Sequence, residues 1–324
     1  MDKTNDLAVK LAADSSTINF GSTLNNLDSV VGGAGILDIV NASASGLIAS
    51  TGALTISAVE TVNLTTGGNN ALNLTGVTGA TTVAVTDNVQ TITGLDLSTS
   101  IQLGLVGTAS TSASEIDVTA TDATGAADTL KVTLENTAAN MSSIIDASGI
   151  ETLALTVVDA GNTATLDLTT FEGTAVTVDA KSGVTGTATV ALGTLHANAN
   201  SLTSTWDGAV STSFASATGA ATATVAGTVA QTITGSGYAD TFNVGSTTAV
   251  THVIAGGAGE DTINLTHAAD STAEFGSITA IQTFNLAIAS GADVAVNGAF
   301  AAGVDDITVT GGNTTSTFTT ATLA

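Results

Sequence analysis

The chain contains no cysteine and no proline among its 324 residues, and these two absences limit the kinds of fold that it can adopt. Without disulfides, an exported protein must gain its stability elsewhere, for example from bound cations that favour the folded state by mass action. Without proline, the chain lacks the commonest breaker of β-strands. Aromatic residues make up only 3% of the chain, so Val, Ile, Leu, Ala and Thr must fill the core. This composition favours a thin, layered β-structure.

Basic residues are also rare. Four lysines and no arginine stand against 28 acidic residues, and the formal net charge is −24. Binding of nucleic acid and docking on an anionic bilayer both depend on clustered Lys and Arg, so the composition argues against both. Most of the acids are aspartate, whose short carboxylate suits turns and calcium shells. Solubility, as in halophilic or secreted proteins, is the alternative reason for the acidity.

Two kinds of targeting segment are missing from the sequence. No run approaches the roughly 18 apolar residues of a membrane-spanning helix. The first residues, Met1–Asp6, lack the charged-then-apolar pattern of a signal peptide. We therefore expect no transmembrane segment, and a chain that is cytosolic, exported by a route that needs no such signal, or a fragment.

No catalytic constellation is recognisable, and we expect a protein that is not an enzyme. The three histidines, His196, His252 and His267, do not have the spacing of a zinc motif. Paired carboxylates for glycoside hydrolysis stay an open alternative, because 28 acids allow many pairs. Sugar-cleaving sites usually present aromatic platforms, however, and Trp206 and Tyr238 are the only Trp and Tyr. We expect Trp206 to be a packing residue near a turn.

Apolar and polar residues alternate with a period of two from about residue 50 onward, which predicts short strands with one apolar face. The clearest predicted strands are Thr61–Leu64, Leu72–Leu74, Thr82–Val85, Leu166–Leu168 and Val176–Val178. Helix signals are confined to Asn5–Ala13 and Asn136–Ile145, so we expect at most two short helices.

An irregular internal repeat organises these strands. Glu60, Glu151 and Gln282 each follow Val or Ile, precede Thr and begin a strand pattern that two further strands follow. Strands recur roughly every ten residues and are joined by turns, which argues against an α/β sheet. We therefore predict an all-β fold, either a parallel β-solenoid (β-roll) or stacked β-layers, in which each repeat buries its apolar face on its neighbours.

The most informative motif lies at residues 256–264, which read Gly-Gly-Ala-Gly-Glu-Asp-Thr-Ile-Asn. This is a full match to the calcium-binding nonapeptide G-G-x-G-x-D-x-U-x of parallel β-rolls. Its glycines allow a tight turn that presents carbonyl oxygens, and its aspartate supplies a hard anionic ligand. The predicted calcium ligands in this turn are Gly256, Gly257, Gly259 and Asp261.

Because calcium takes six to eight oxygen ligands, one such turn needs a neighbour. The segment Gly235–Asn243, one repeat upstream, ends in the same Asp-x-apolar-x step, and we predict Asp240 as a further calcium ligand. Tyr238 stands there in the place of a glycine of the motif, which weakens this half of the site.

Partial relatives of the turn occur elsewhere in the chain. An Asp-x-apolar step at Asp28 runs into Gly32-Gly33-Ala-Gly35, with the following aspartate displaced to Asp38. Other Asp-x-apolar steps contain Asp128 and the pair Asp305 and Asp306. An isolated aspartate often only caps a strand or turn. We carry Asp28, Gly33 and Asp128 as candidate calcium ligands, with capping as the alternative, and we favour capping for the last pair.

These turns, the Thr/Ala/Gly/Val-rich strands and the Ile-Glu-Thr-Leu-x-Leu units resemble repeats-in-toxin (RTX)-type bacterial surface-layer (S-layer) proteins exported by type I secretion. The segments that are especially similar to the lattice-forming C-terminal region of Caulobacter S-layer proteins are Ala123–Thr133, Gly149–Leu155 and Ser316–Ala324. The likeness covers roughly residues 21–324. Only residues 231–264 carry a specific motif.

The resemblance implies a calcium-dependent protein of the cell surface that is secreted through a C-terminal signal and assembles with copies of itself into a two-dimensional lattice. It implies Ca²⁺ as the only cofactor. A helical domain that would bind lipopolysaccharide is not evident, so attachment to lipopolysaccharide would need a region not seen here. The expected regions are a short N-terminal segment, 1–20, a repetitive β-solenoid or β-layer region, 21–230, and an RTX-like β-roll with C-terminal strands, 231–324.

Two alternatives remain from the sequence. The chain could be a secreted, calcium-stabilised adhesin or the spacer module of a larger RTX protein. It could also be the β-rich domain of a secreted hydrolase whose catalytic part lies elsewhere.

Overall fold

Every regular element that the structure describes is a β-strand, as the all-β prediction requires. The structure is a computed structural model, and it describes residues 8–20, 28–34, 37–43, 55–65, 70–86, 89–103, 114–134, 141–158, 162–180, 188–226, 229–246, 252–267, 271–288, 294–300, 304–311 and 317–320. Within these ranges, no helix is long and apolar enough to cross a membrane. The chain separates into two compact units, Met1–Val158 and Asp159–Ala324.

The first unit contains fifteen of the described strands. They are β1 (Ala8–Lys10), β2 (Thr17–Asn19), β3 (Ser29–Val31), β4 (Ile39–Ser43), β5 (Thr55–Ser57), β6 (Thr61–Thr65), β7 (Asn70–Asn73), β8 (Val77–Thr78), β9 (Thr82–Thr86), β10 (Val89–Leu95), β11 (Ser100–Leu103), β12 (Ser114–Ala120), β13 (Thr129–Leu134), β14 (Met141–Ala147) and β15 (Thr152–Val157). Their sheet orders are β1-β3-β5-β8, β7-β10-β12-β14 and β2-β4-β6-β9-β11-β13-β15.

The second unit contains the other fifteen. They are β16 (Ala164–Asp167), β17 (Ala175–Ala180), β18 (Thr189–Thr194), β19 (Ser201–Ser204), β20 (Ala209–Ser213), β21 (Thr222–Val225), β22 (Thr232–Thr234), β23 (Thr241–Ser246), β24 (His252–Ala255), β25 (Thr262–His267), β26 (Ser271–Thr279), β27 (Thr283–Ile288), β28 (Val294–Phe300), β29 (Asp306–Gly311) and β30 (Thr317–Thr320). The even-numbered strands form one sheet in chain order, and the odd-numbered strands form the other.

This alternation between two parallel sheets is the topology of a β-solenoid. Each coil contributes one strand to each sheet and then lies directly on the previous coil. In the second unit, Phe242 of β23 is paired with Ile263 of β25, which is paired with Phe284 of β27. The register therefore decides for the solenoid over independent stacked layers, because each strand pairs with the strand one coil away.

The core of each unit lies between its sheets, and the period-2 pattern of the sequence builds it. Successive side chains of a strand point to opposite faces, so every second residue points inward. In β15 the pattern is strict, with Leu153, Leu155 and Val157 buried and the residues between them half-buried. The predicted strands listed above all coincide with or overlap observed strands.

The helix prediction is wrong wherever the structure describes it. Ala8–Lys10 of the first predicted helix is strand β1, and Met141–Ala147 covers the end of the second as strand β14. Residues 11–13, which follow β1, are neither helix nor strand, and the remaining parts, 5–7 and 136–140, lie outside the described residues. Helices this short are marginal in water, and pairing with the neighbouring coil outweighs their weak propensity. The three regions expected from the sequence, 1–20, 21–230 and 231–324, were defined by their motifs. This division stays a prediction.

Candidate functional site

Side-chain oxygens immediately before the strands of the odd-numbered sheet link each coil to the next in the second unit. The backbone N–H of Asp240 donates to Oδ1 of Asp261 at 2.7 Å, and the N–H of Asp261 donates to Oε1 of Gln282 at 2.7 Å. We call these three residues the cap ladder. A hydrogen bond to a carboxylate contributes about 1.5–3 kcal/mol, and one to a neutral amide oxygen, such as that of Gln282, contributes about 0.5–1.5 kcal/mol. Together the two bonds favour this register of the coils at this turn.

The carboxylate of Asp240 is fully used by this arrangement. Its Oδ1 accepts from the backbone N–H of Ala221 at 2.6 Å and from the hydroxyl of Ser236 at 2.7 Å. Its Oδ2 accepts from the backbone N–H of Ser236. Asp240 is only 1% exposed, so these three donors take the place of water around the carboxylate. The turn at 235–240 is therefore closed by its own hydrogen bonds.

The carboxylate of Asp261, one coil later, is not satisfied in the same way. Its Oδ1 accepts from the N–H of Asp240, but its Oδ2 is buried and accepts no hydrogen bond among the described residues. Asp261 is 0% exposed. Burial raises the pKa of this carboxyl group, the hydrogen bond from Asp240 opposes that rise, and the nearby charges of Asp240 and Glu260 add to it. A cation beside Oδ2 would offset these costs.

The difference between the two turns follows from their backbones. Gly257 and Gly259 have φ angles of +102° and +122°, in a region that L side chains rarely adopt. Ser236 and Tyr238 occupy the corresponding positions one coil upstream, and neither has a positive φ. Ser236 can therefore point its N–H and hydroxyl at Asp240, whereas Gly257 has no hydroxyl to offer Asp261. The full motif thus leaves Oδ2 of Asp261 without a hydrogen bond among the described residues, whereas both carboxylate oxygens of Asp240 accept hydrogen bonds.

In the first unit, the buried Asp38 accepts hydrogen bonds beside Gly33. Asp38 is 0% exposed, and its Oδ1 and Oδ2 accept from the N–H groups of Ser16, at 2.9 Å, and Gly33, at 2.6 Å. Its own N–H donates to Oε2 of Glu60 at 2.7 Å. Asp28 is buried just before β3, and its role as a calcium ligand stays a prediction. Gly33 therefore contacts an aspartate carboxylate through its N–H.

The other predicted aspartates lie at two kinds of position. Asp128 accepts from the N–H of Gly125 at 2.8 Å, and its own N–H donates to Oε2 of Glu151 at 2.8 Å, which is the capping pattern again. Asp305 and Asp306 are exposed at the start of β29, where their N–H groups donate to the carbonyl of Gln282. The Asp128 carboxylate therefore caps this turn, and its role as a calcium ligand stays a prediction.

Among the described residues, no group of three or more His, Asp or Glu side chains is placed to hold a metal ion by itself. A cation at Asp261 would need backbone carbonyl oxygens as well. His252 and His267 lie on β24 and β25, which belong to different sheets. Trp206 is 0% exposed and its Nε1 donates to the carbonyl of Ala188 at 3.1 Å, so it is a packing residue and not a sugar platform.

Sequence reasoning missed the acceptors that complete the capping pattern. Glu60, Glu151 and Gln282 mark the repeat, and each also accepts the N–H of an aspartate one coil earlier. A signal for these acceptors was present in the sequence. Each is a Glu or Gln directly before a strand, and it stands 21 to 23 residues after the aspartate whose N–H it accepts. It also missed rows of asparagines on the outer face, in which Asn264 Nδ2 donates to Asn243 Oδ1 at 2.8 Å.

No protein-family model, no curated protein and no solved structure matches this chain. The function is therefore argued from the chain's own residues.

Proposed function

We propose that this chain is a structural surface-layer protein. It binds Ca²⁺ outside the cell, couples that binding to folding, and self-assembles into a two-dimensional lattice on the cell exterior. The observation that carries the proposal is the buried Oδ2 of Asp261, which lies inside a full calcium-type turn and accepts no hydrogen bond among the described residues. A buried, unpaired carboxylate oxygen is costly, and a bound cation is the usual compensation.

The residues present fit a calcium ion better than a transition metal. The turn offers the hard oxygen of Asp261 and the backbone carbonyls that we propose as further ligands, those of Gly256, Gly257 and Gly259. Calcium would supply positive charge at Asp261. Asp240 is better suited to position the turn than to bind the ion, because its carboxylate already accepts three hydrogen bonds.

The charge of the chain supports a coupling between calcium and folding. With a net charge of −24, self-repulsion disfavours the compact state until cations neutralise part of the charge. In a cytoplasm with little free calcium, the chain would stay expanded and competent for export. Outside, binding free energy becomes folding free energy, as in other metal-dependent domains. We place the protein at the extracellular cell surface, with copies of itself as its partner.

The alternative within the same class is a calcium-stabilised adhesin or spacer module of a larger secreted protein. It shares the calcium-dependent fold and differs in assembly. Negative-stain electron microscopy in millimolar calcium separates the two: ordered two-dimensional arrays are expected for a surface-layer protein, and dispersed particles would contradict the lattice while leaving the calcium mechanism intact.

The substitution Asp261→Asn tests the calcium site, because we expect opposite effects with and without the ion. In EDTA the variant should melt at a higher temperature than the wild type, since a buried charge with an unpaired oxygen is removed. In calcium the wild type gains about 2.7 kcal/mol at a hundredfold excess of the ion over its Kd, and the variant should gain almost nothing. Far-ultraviolet circular dichroism during thermal unfolding measures both.

Glu260→Gln is the matched control, since Glu260 is the exposed acid next to Asp261 and should keep most of the calcium response. An equal calcium-dependent rise in Tm for wild type and Asp261→Asn would remove Asp261 from the site. A wild-type Tm that is identical in EDTA and in calcium would remove the calcium mechanism altogether.

A further inference from the structure

The calcium-type turn at 256–261 lies against a shorter turn of the following coil. The strand register places its residues over only residues 280–282, which we call the short turn. Ala280 begins the short turn with a φ of +53°, in the left-handed region that L side chains rarely adopt. Among the described residues, Ala58 is the one other non-glycine residue with a positive φ. The conformation of Ala280 therefore has to be held by its surroundings, and it sets the direction of the Ala280 carbonyl.

The carbonyl oxygen of Ala280 and Oδ2 of Asp261 approach each other where the two turns meet. Both lie within 2.4 Å of one point, the position that a Cβ would take on Gly256. The two oxygens are therefore closer together than the span that one calcium ion bridges with Ca–O distances of about 2.3–2.6 Å. Neither oxygen accepts a hydrogen bond among the described residues. Two such oxygens repel each other unless a positive charge lies beside them.

The same approach of a carbonyl to a carboxylate occurs in the first unit, where a hydrogen bond compensates for it. A Cβ on Gly32 would meet both the carbonyl oxygen of Ala58 and Oδ2 of Asp38. There, the N–H of Gly33 donates to Oδ2 of Asp38 at 2.6 Å. The partial positive charge that this carboxylate oxygen needs thus comes from the backbone of its own turn.

The turn at 235–240 repeats this arrangement one coil upstream of the calcium-type turn. A Cβ on Gly235 would meet both the carbonyl oxygen of Gly256 and Oδ2 of Asp240. Here the N–H of Ser236 donates to that Oδ2. In both turns, therefore, a backbone N–H compensates the carboxylate oxygen that faces the carbonyl of the next coil.

The third such contact, between Ala280 and Asp261, has no donor to the carboxylate oxygen among the described residues. We propose that a calcium ion takes the place of this donor, and that the carbonyl of Ala280 completes the ligands of the ion from the following coil. A backbone carbonyl is a usual calcium ligand. The proposal rests on the calcium site proposed above and deepens it, because the sequence placed the second half of the site upstream, at Asp240, whereas these contacts favour the downstream coil.

Substitutions at Ala280 test its carbonyl through the backbone conformation that orients it. Gly and Asn adopt the left-handed region readily, whereas a β-branched residue such as Val rarely does. We therefore expect Ala280→Gly and Ala280→Asn to keep the wild-type Kd for calcium within about twofold. Ala280→Val should turn the carbonyl away and raise the Kd roughly tenfold. Isothermal titration calorimetry with calcium chloride on the full chain measures each Kd.

A loss of stability by itself also weakens binding that is coupled to folding, so a matched control is needed. Gly193→Val places the same residue at another left-handed position of the second unit, where φ is +62° and a Cβ would meet only the carbonyl oxygen of Leu166, at 3.6 Å. Urea unfolding in EDTA measures the stability that each variant loses. For an equal loss, Gly193→Val should raise the Kd for calcium far less than Ala280→Val. Ala280→Ser makes a milder change in the same direction and takes the place of Ala280→Val if that variant does not fold.

Failure of this ligand is distinguishable from failure of the proposed function. Equal calcium affinities of Ala280→Val and Gly193→Val at matched stability would overturn the role of Ala280. The calcium site itself would stand in that case, provided that Asp261→Asn abolishes binding. A wild-type chain that binds no calcium would contradict the proposed site and, with it, this ligand.

Discussion

The turns at 235–240 and 256–261 occupy equivalent places in neighbouring coils and differ in what they do with one aspartate. Asp240 accepts three hydrogen bonds from Ala221 and Ser236, whereas Asp261 accepts one from the described part of the chain, which leaves its buried Oδ2 unpaired there. The turn at 235–240, which departs from the motif, thus satisfies the carboxylate of its aspartate with its own hydrogen bonds. The turn at 256–261, which matches the motif fully, does not.

The same two coils differ again four residues before each turn, where Gln231 and His252 stand at equivalent positions. Gln231 is buried, and its amide is satisfied by the backbone groups of Val210, Gly208 and Val229. His252 is also buried, its Nδ1 accepts from the N–H of Gln231 at 3.3 Å, and burial lowers its pKa to about 4. The downstream coil therefore carries a titratable group where the upstream coil carries a neutral one.

The largest expected effect comes from adding one methyl group to the downstream turn. A Cβ at Gly256 would lie 1.9 Å from the carbonyl oxygen of Ala280 and 2.4 Å from Oδ2 of Asp261. We expect Gly256→Ala to lower the free energy of unfolding by about 3 kcal/mol, the upper end of the usual cost of overpacking, because the added Cβ meets backbone that cannot easily move. Gly237→Ala in the upstream turn is the control, because nothing lies within 4 Å of its Cβ position. Urea unfolding in calcium measures both, and equal losses would mean that the coils do not pack as closely as described.

The next effect distinguishes the two coils by pH. Because the pKa of His252 is lowered to about 4 in the folded state from 6.5, its contribution to stability is fully present above pH 6.5 and is lost as the pH falls towards 4. The variant His252→Gln carries the residue of the upstream coil. Between pH 7 and pH 4, its free energy of unfolding should therefore fall by up to about 3 kcal/mol less than that of the wild type. Urea unfolding across this range measures the difference, and parallel curves for the two proteins would contradict the assignment. Both proteins carry the same carboxylates, so their titration cancels.

The smallest effect tests the self-sufficiency of the upstream turn. Ser236→Ala removes the hydroxyl that donates to Asp240 at 2.7 Å and accepts from the N–H of Tyr238 at 3.1 Å. We expect a loss of about 1 kcal/mol in the free energy of unfolding. The calcium-dependent rise in Tm should be unchanged, since we propose that the downstream turn binds the ion. A rise that becomes larger in the variant would show that Asp240 also becomes a ligand once its donor is removed.

Much of the fold could be predicted from the sequence, because strand formation depends on a local pattern. Alternation around Thr61–Leu64 and Val176–Val178 is enough to place strands there. Which strands pair could not be predicted, since pairing depends on residues about 21 positions apart. The helix predicted at Asn5–Ala13 is wrong in its described part for the same reason, because stacking overrides a weak local preference.

The candidate site, too, could be predicted from the sequence only in part. The calcium-type motif at Gly256–Asp261 could be recognised from the sequence, because its glycines and its aspartate stand in a fixed order, and its role in binding calcium stays a prediction. The acceptor roles of Glu60, Glu151 and Gln282 could not, because the N–H groups that they accept belong to another coil. The hydrogen bond from Gly33 to Asp38 has the same origin, since only the fold decides which carboxylate reaches Gly33.

By itself, the sequence determined the class of structure, the absence of disulfides, the strong negative charge and the one complete calcium-type motif, all of which are local or compositional properties. Only the tertiary structure decided that the strands form a parallel solenoid, that most aspartates at these turns cap the neighbouring coil, and that one oxygen of Asp261 stays unpaired. The physical reason is that a hydrogen bond between coils depends on which N–H the stacking brings within about 3 Å of an oxygen, and no single coil contains that information.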